Sequence, residues 1–180
     1  MHLPEDQVRR FYNIWMPLLT FVNQKRGLLP ERKVWDDDHP IDVNDAKVLR
    51  DALWQEDALR TAFVVQNPAG LNDADLAIVK SWQFRVAGTF FIVKHLKKHT
   101  IFQGGNRFYA ALGLTSSFAE LVPIIPYLVD VVLLPFEERI IYDSILVGKN
   151  VTFGGNIRRR LNQEYQQARK SGAVITSLLA

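Results

Sequence analysis

Two hydrophobic periods divide the chain. Over residues 1–83 apolar positions recur every three or four residues, whereas beyond about Val86 they crowd together or alternate. In the first stretch Val8, Phe11, Trp15, Leu18 and Val22 share one helical face behind Pro4, Glu5 and Asp6, residues suited to a helix start. Pro17 removes a backbone donor and crowds the preceding turn, which predicts a kink or break there. The segment 27–40, with its Trp-Asp-Asp-Asp-His-Pro run, reads as a loop. Asp42 or Asn44 then caps a second helix, whose Ala46, Leu49, Ala52, Leu53, Leu59 and Phe63 follow one face until Asn67, Pro68 and Gly70 stop it. Asn72, with Asp73 and Asp75 in the first turn, starts a third helix through Leu76, Val79 and Trp82.

The second stretch is rich in β-formers. Residues 88–93 read as a strand, and residues 100–102 are separated from 107–109 by Gln103-Gly-Gly-Asn, a four-residue hairpin connection. Ser117 and Glu120 form a capping box for one helical turn before Pro123. Residues 128–134 resume an extended course, Pro135-Phe-Glu-Glu turns the chain into 139–146, and Gly148-Lys-Asn turns it into a strand at 151–153. After Gly154 and Gly155, Asn156 caps a last helix with Ile157, Leu161, Tyr165 and Ala168 on its apolar stripe, ended by Lys170 and Gly172. The fold class expected is α+β: N-terminal helices, a mainly antiparallel sheet, open or barrel-like, and a C-terminal helix packed on that sheet. The division expected is a helical part over 1–83 and a β-rich part over 84–180, with a shared core left open.

Composition narrows the class. With 180 residues, 48% hydrophobic and 23% charged, the chain has the material of a globular protein. No apolar run reaches the roughly 18 residues of a membrane span, because Pro126, Asp130 and Pro135 interrupt the longest one. The opening Met-His-Leu-Pro-Glu-Asp lacks the basic start and apolar stretch of a secretory signal, so the compartment expected is the cytoplasm. The absence of cysteine removes disulfides, thiol catalysis and thiolate metal sites. Residues 1–83 hold 10 Lys and Arg against 13 Asp and Glu, and residues 84–180 hold 12 against 6. The second part is therefore basic, which suits either an anionic partner or a neutralising contact within the fold.

One electrostatic anomaly follows from the last helix. If Asn156 is its cap, Arg158, Arg159 and Arg160 crowd a first turn whose free N–H groups are already electropositive. Gly154, Gly155 and Asn156 would let a backbone approach a ligand closely. With Arg158 and Arg159 they make a candidate anion site. The alternative is that the arginines radiate toward Glu137, Glu138, Asp143 and Glu164 or into water. A second basic feature, Lys94, Lys97, Lys98 and His99, is interleaved with Phe90, Phe91, Phe102, Phe108 and Tyr109, a combination able to bind RNA or DNA. Alternation along a strand instead places the aromatics in the core and the lysines on a solvated face. No dinucleotide fingerprint, P-loop or nucleophile elbow is present. Asp36, Asp37, Asp38 and His39 read as a polar loop rather than a metal site, no metal or other cofactor is implied, and Trp35 is a candidate contact residue.

Several stretches carry a resemblance: Phe91-Ile-Val-Lys-His-Leu-Lys-Lys-His-Thr-Ile-Phe, Leu134-Pro-Phe-Glu-Glu-Arg-Ile-Ile-Tyr-Asp, Phe153-Gly-Gly-Asn-Ile-Arg-Arg and Ile175-Thr-Ser-Leu. They resemble a group of uncharacterised bacterial proteins, some of which end in a SEC-C zinc-binding tail. The resemblance covers about half of the chain, implies an α+β cytosolic protein, and supplies no catalytic residue; the cysteines of such a tail are absent here. The function expected is a non-enzymatic binding module with an anion-accepting basic surface and a protein or small-anion partner. An enzyme acting on a small anionic substrate, with Asp143, Tyr142 or His99 as acid or base, is the second reading. Nucleic-acid binding is the third.

Overall fold

The computed structural model describes residues 1–30, 41–151 and 153–179; Trp35 and the cluster from Asp36 to His39 lie outside them. The described residues form two compact units, one of Asp6–Gln83 and one of Met1–Glu5 with Phe84–Ala180. The first five residues thus belong with the β-rich part, where His2 bridges Gly113 and the Leu3 N–H donates to the Gly113 carbonyl at 3.0 Å.

The helical unit contains α1 (Glu5–Arg26), α2 (Val43–Gln55), α3 (Asp57–Gln66) and α4 (Asp73–Ser81). Helix α1 runs through Pro17 as one element, so of the expected kink or break, the break is absent. The single helix expected over residues 46–63 is instead two, separated at Glu56, whose backbone is extended (φ −129°, ψ 90°). The apolar spacing explains the division. Leu49 to Leu53 and Leu59 to Phe63 are each helical steps of four, but the six residues from Leu53 to Leu59 would rotate the stripe off its face. An interruption restores the phase. Asp42 caps α2 by accepting from the Asn44 N–H at 2.8 Å, and Asn72 caps α4 by accepting from the Asp75 N–H at 2.9 Å. The rings of Trp15, Trp54 and Trp82 meet at centroid distances of 5.7 to 6.4 Å, with Phe11 stacked on Trp15 at 5.9 Å. Residues far apart in sequence thereby share one aromatic cluster.

The sheet unit contains β1 (Val86–His95), β2 (Thr100–Gly104), β3 (Arg107–Ala111), α5 (Phe118–Leu121), β4 (Tyr127–Phe136), β5 (Arg139–Gly148), α6 (Gly155–Lys170) and β6 (Val174–Ile175). Strand order is β2-β1-β4-β5-β3-β6, and β2 also pairs with β3, so β1 to β5 close into a ring. Four ladders are antiparallel; β3 meets β5 and β6 in parallel over one and two residue pairs. The ring is held at β3–β5 by so little pairing that it is not a clear barrel.

Three turns differ from expectation. Gly104 pairs with Arg107, leaving a two-residue hairpin turn carried by Gly105 at φ 57°, because the strands extend into the expected connection. Pro135 lies inside β4 opposite Ile140; the turn falls at Glu137, which takes the left-handed conformation at φ 55°. Val151 and Phe153 are not in a strand.

Alternation sorts the sheet's two faces. Phe102 and Tyr109 face one way, where Phe90, Phe118 and Tyr142 complete an aromatic cluster with centroid distances of 4.8 to 6.4 Å. Ile101, Phe108 and Ala110 face the other way and are covered by Tyr165 of α6. The Gln103 side-chain amide on that face donates to Glu164 of α6 at 2.7 Å. The C-terminal helix is therefore packed on the sheet, as its apolar stripe predicts. Ser117 and Glu120 make the reciprocal capping box of α5.

Two expected outcomes test this architecture. A methyl at Gly113 would stand 1.9 Å from the Ser116 carbonyl oxygen, a backbone atom that cannot swing aside. Gly113→Ala should therefore lose about 1 to 3 kcal/mol in urea unfolding followed by far-UV circular dichroism. In the capping box, hydrogen bonds from the Ser117 hydroxyl and N–H hold the Glu120 carboxyl below its ordinary value of 4.5. A depressed carboxyl contributes its stability above the unfolded value and loses it as pH falls through the folded one. Glu120→Gln should therefore remove part of the acid-side decline in the urea midpoint below about pH 4.5, which a pH series of unfolding curves would read.

Candidate anion-binding site

The site begins with an irregularity in β1. Ile92 pairs with Phe102, but Lys94 pairs with the adjacent Ile101, so Val93 is an extra residue in the ladder. A regular strand would turn Lys94 toward the face of Phe90 and Ile92. The bulge instead leaves Val93 and Lys94 together on the face carrying α6 and transfers His95 to the opposite one. Lys94 Nζ sits 5.9 Å from the centroid of the Tyr165 ring. His95 bonds Thr100 Oγ1 at 3.0 Å through Nδ1 and donates from Nε2 to the Val122 carbonyl at 2.9 Å.

Helix α6 supplies the opposite wall. Gly154, not Asn156, is its N-cap, with no side-chain capping bond. Asn156 lies in the first turn, and the Arg158 N–H already reaches the Gly154 carbonyl at 3.5 Å. The arginines therefore begin two residues deeper than expected, with Arg158 at the end of the first turn, where the influence of the terminal dipole is fading. They also separate. Arg160 Nε is 3.6 Å from Glu164 on the solvent side. A guanidinium nitrogen of Arg158 donates to the Ile125 carbonyl at 3.0 Å. Arg159 has neither hydrogen bond nor ion pair among the described residues.

Between these walls lies a cavity of about 480 Å³. Its cations are Lys94, Arg158 and Arg159. Its apolar lining is Val93, Ile125, Pro126 and Leu161, and Gly155 and Asn162 complete it. No Asp or Glu is among these lining residues. Phe153 packs edge-on against Phe91 of β1 at 5.1 Å, which ties the approach to α6 to the same strand. Leu161, 1% exposed, anchors the helix beneath the cavity.

Of the residues singled out from the sequence, the cavity joins Lys94, Gly155, Arg158 and Arg159. It does not include Gly154, Asn156, Lys97, Lys98 or His99. Lys97 and Lys98 are exposed in the turn between β1 and β2, closed by the Leu96 N–H to the His99 carbonyl at 2.9 Å. Burial and the neighbouring Lys98 ammonium lower the His99 pKa from its ordinary 6.5, so at neutral pH His99 adds no cation to this turn. Asp143 is fully buried in β5 and accepts from the Ile145 N–H at 3.3 Å, and Tyr142 packs on Phe118. Neither lines the cavity.

Sequence reading missed Val93, Ile125, Pro126, Leu161 and Asn162. Only the last two had a visible signal, since Arg158, Leu161 and Asn162 stand at i, i+3 and i+4 on one helix face. Among the described residues no cluster of three metal-ligating side chains occurs, and no helix is long and apolar enough to cross a membrane. No family model matches the chain, and no curated protein or solved structure matches it.

Proposed function

We propose that the sheet unit is a non-enzymatic binding module that accepts an anionic ligand between β1 and α6. The observation that carries this reading is the meeting of Lys94, Arg158 and Arg159 on one cavity whose lining, among the described residues, has no carboxylate. Like charges held on a shared concavity repel, and an anion relieves that repulsion while accepting several charge-assisted hydrogen bonds. Arg158 is directed by its bond to the Ile125 carbonyl, so part of the ordering cost is met before a ligand arrives. Binding is favoured over catalysis because Asp143, Tyr142 and His99, the acid and base candidates, lie off the lining.

Two experiments test the reading. The four tryptophans all lie within residues 1–83, so unfolding of the sheet unit is better followed by far-UV circular dichroism than by tryptophan fluorescence. In phosphate-free buffer Arg159→Ala should leave the melting temperature unchanged or raise it, because it removes a repelled cation without breaking a native contact. Arg160→Ala should lower stability by no more than about 0.5 kcal/mol, the worth of an exposed ion pair. A fall of several degrees in Arg159→Ala alone would mean that Arg159 serves the fold.

The second experiment is direct titration with inorganic phosphate by isothermal calorimetry. Saturable binding should be present in the native protein and in Arg160→Ala, and weakened about tenfold or more in Lys94→Ala and Arg159→Ala. Phosphate also stabilises proteins generally by exclusion from their surfaces, so the difference between variants at equal concentration is the decisive readout. Equal binding by all four proteins would sink the proposal.

A further inference from the structure

The cavity is larger than its charged end requires. Its volume of about 480 Å³ equals that of on the order of 15 water molecules. A bare phosphate, with five heavy atoms, would leave most of it wet. The remaining wall is aliphatic: Val93 from β1, Ile125 and Pro126 ahead of β4, and Leu161 from α6. Among the described residues no aromatic ring lines the cavity, so none of them offers a nucleobase a stacking surface. Polar head and apolar wall are both present, and their arrangement restricts the ligand.

We infer that the ligand of this cavity is a small soluble alkyl phosphate monoester, its dianionic head met by Lys94, Arg158 and Arg159 and its aliphatic body laid against Ile125, Pro126 and Val93. The inference rests on the anion-binding reading proposed above and adds the chemistry of the remainder of the ligand. The monoester suits the charges because three cations face a head that carries close to two negative charges at neutral pH. It suits the wall because each buried methylene strengthens binding several-fold. The Arg158 bond to the Ile125 carbonyl brings the two parts together, since the residue that directs the guanidinium also supplies apolar lining.

The test is calorimetric titration of the full chain with three soluble probes: inorganic phosphate, n-butyl phosphate and uridine 5′-monophosphate. Butyl phosphate should bind about tenfold tighter than inorganic phosphate, and the nucleotide no tighter than inorganic phosphate. Ile125→Ala should weaken butyl phosphate about fivefold or more while leaving inorganic phosphate within about twofold. Arg159→Ala should weaken both. Vesicles containing phosphatidic acid should not co-sediment with the protein. Equal affinity for butyl and inorganic phosphate, or a preference for the nucleotide, would overturn the alkyl monoester and leave the anion reading standing. Vesicle binding lost in Arg159→Ala would replace the small soluble ligand by a lipid headgroup. Failure of every phosphate probe to bind would remove both conclusions.

Discussion

A single extra residue in β1 decides what the sheet unit presents to its C-terminal helix. Without the bulge at Val93, the pleat would send Lys94 into the aromatic side of the ring, where an ammonium would be desolvated among Phe90, Phe102 and Tyr109. With it, Lys94 emerges against Tyr165 and His95 turns inward, where both its nitrogens have partners. The same displacement satisfies a half-buried imidazole and delivers a cation to the cavity. Strand pairing on both sides of the irregularity keeps this arrangement in register, from Ile92 against Tyr127 to His95 against Thr100.

Much of the fold was legible because it follows periodicity. The stripe from Phe11 to Val22, the Asp42 and Asn72 caps, the Ser117 and Glu120 box and the covering of the sheet by Tyr165 rest on local rules that the sequence displays. The errors fall where a local rule yields to pairing or phase. Pro17 is carried inside a long helix, Pro135 inside a strand, and Glu56 interrupts a helix because Leu53 and Leu59 are out of step. A chain pattern does not reveal a bulge, so the lysine at position 94 read as solvated and separate from the arginines. Half of the site was visible as residue types. Their meeting depended on long-range register and on Ile125 and Pro126, whose connection ahead of β4 has no periodic signature.

The arginine triplet shows how one sequence feature divides under three-dimensional constraint. Successive positions on a helix are about a hundred degrees apart, so three adjacent arginines cannot share one direction. Arg160 takes the solvent side and a carboxylate, Arg158 takes a backbone carbonyl, and Arg159 is left facing the cavity without a native partner among the described residues. The electrostatic strain expected at the helix terminus is reduced by starting the helix at Gly155, and what persists of it lies within the cavity.

Glu164 is the only acidic residue of α6, and its carboxylate is engaged by the Gln103 amide on β2 and by Arg160. It fastens the helix to the sheet and, by the same contacts, is kept from screening the cavity. Adhesion and polarity are thus vested in one side chain. Mutational drift at position 164 cannot adjust either property separately: a neutral replacement loosens the tether, while a rerouted carboxylate lets the helix discharge itself.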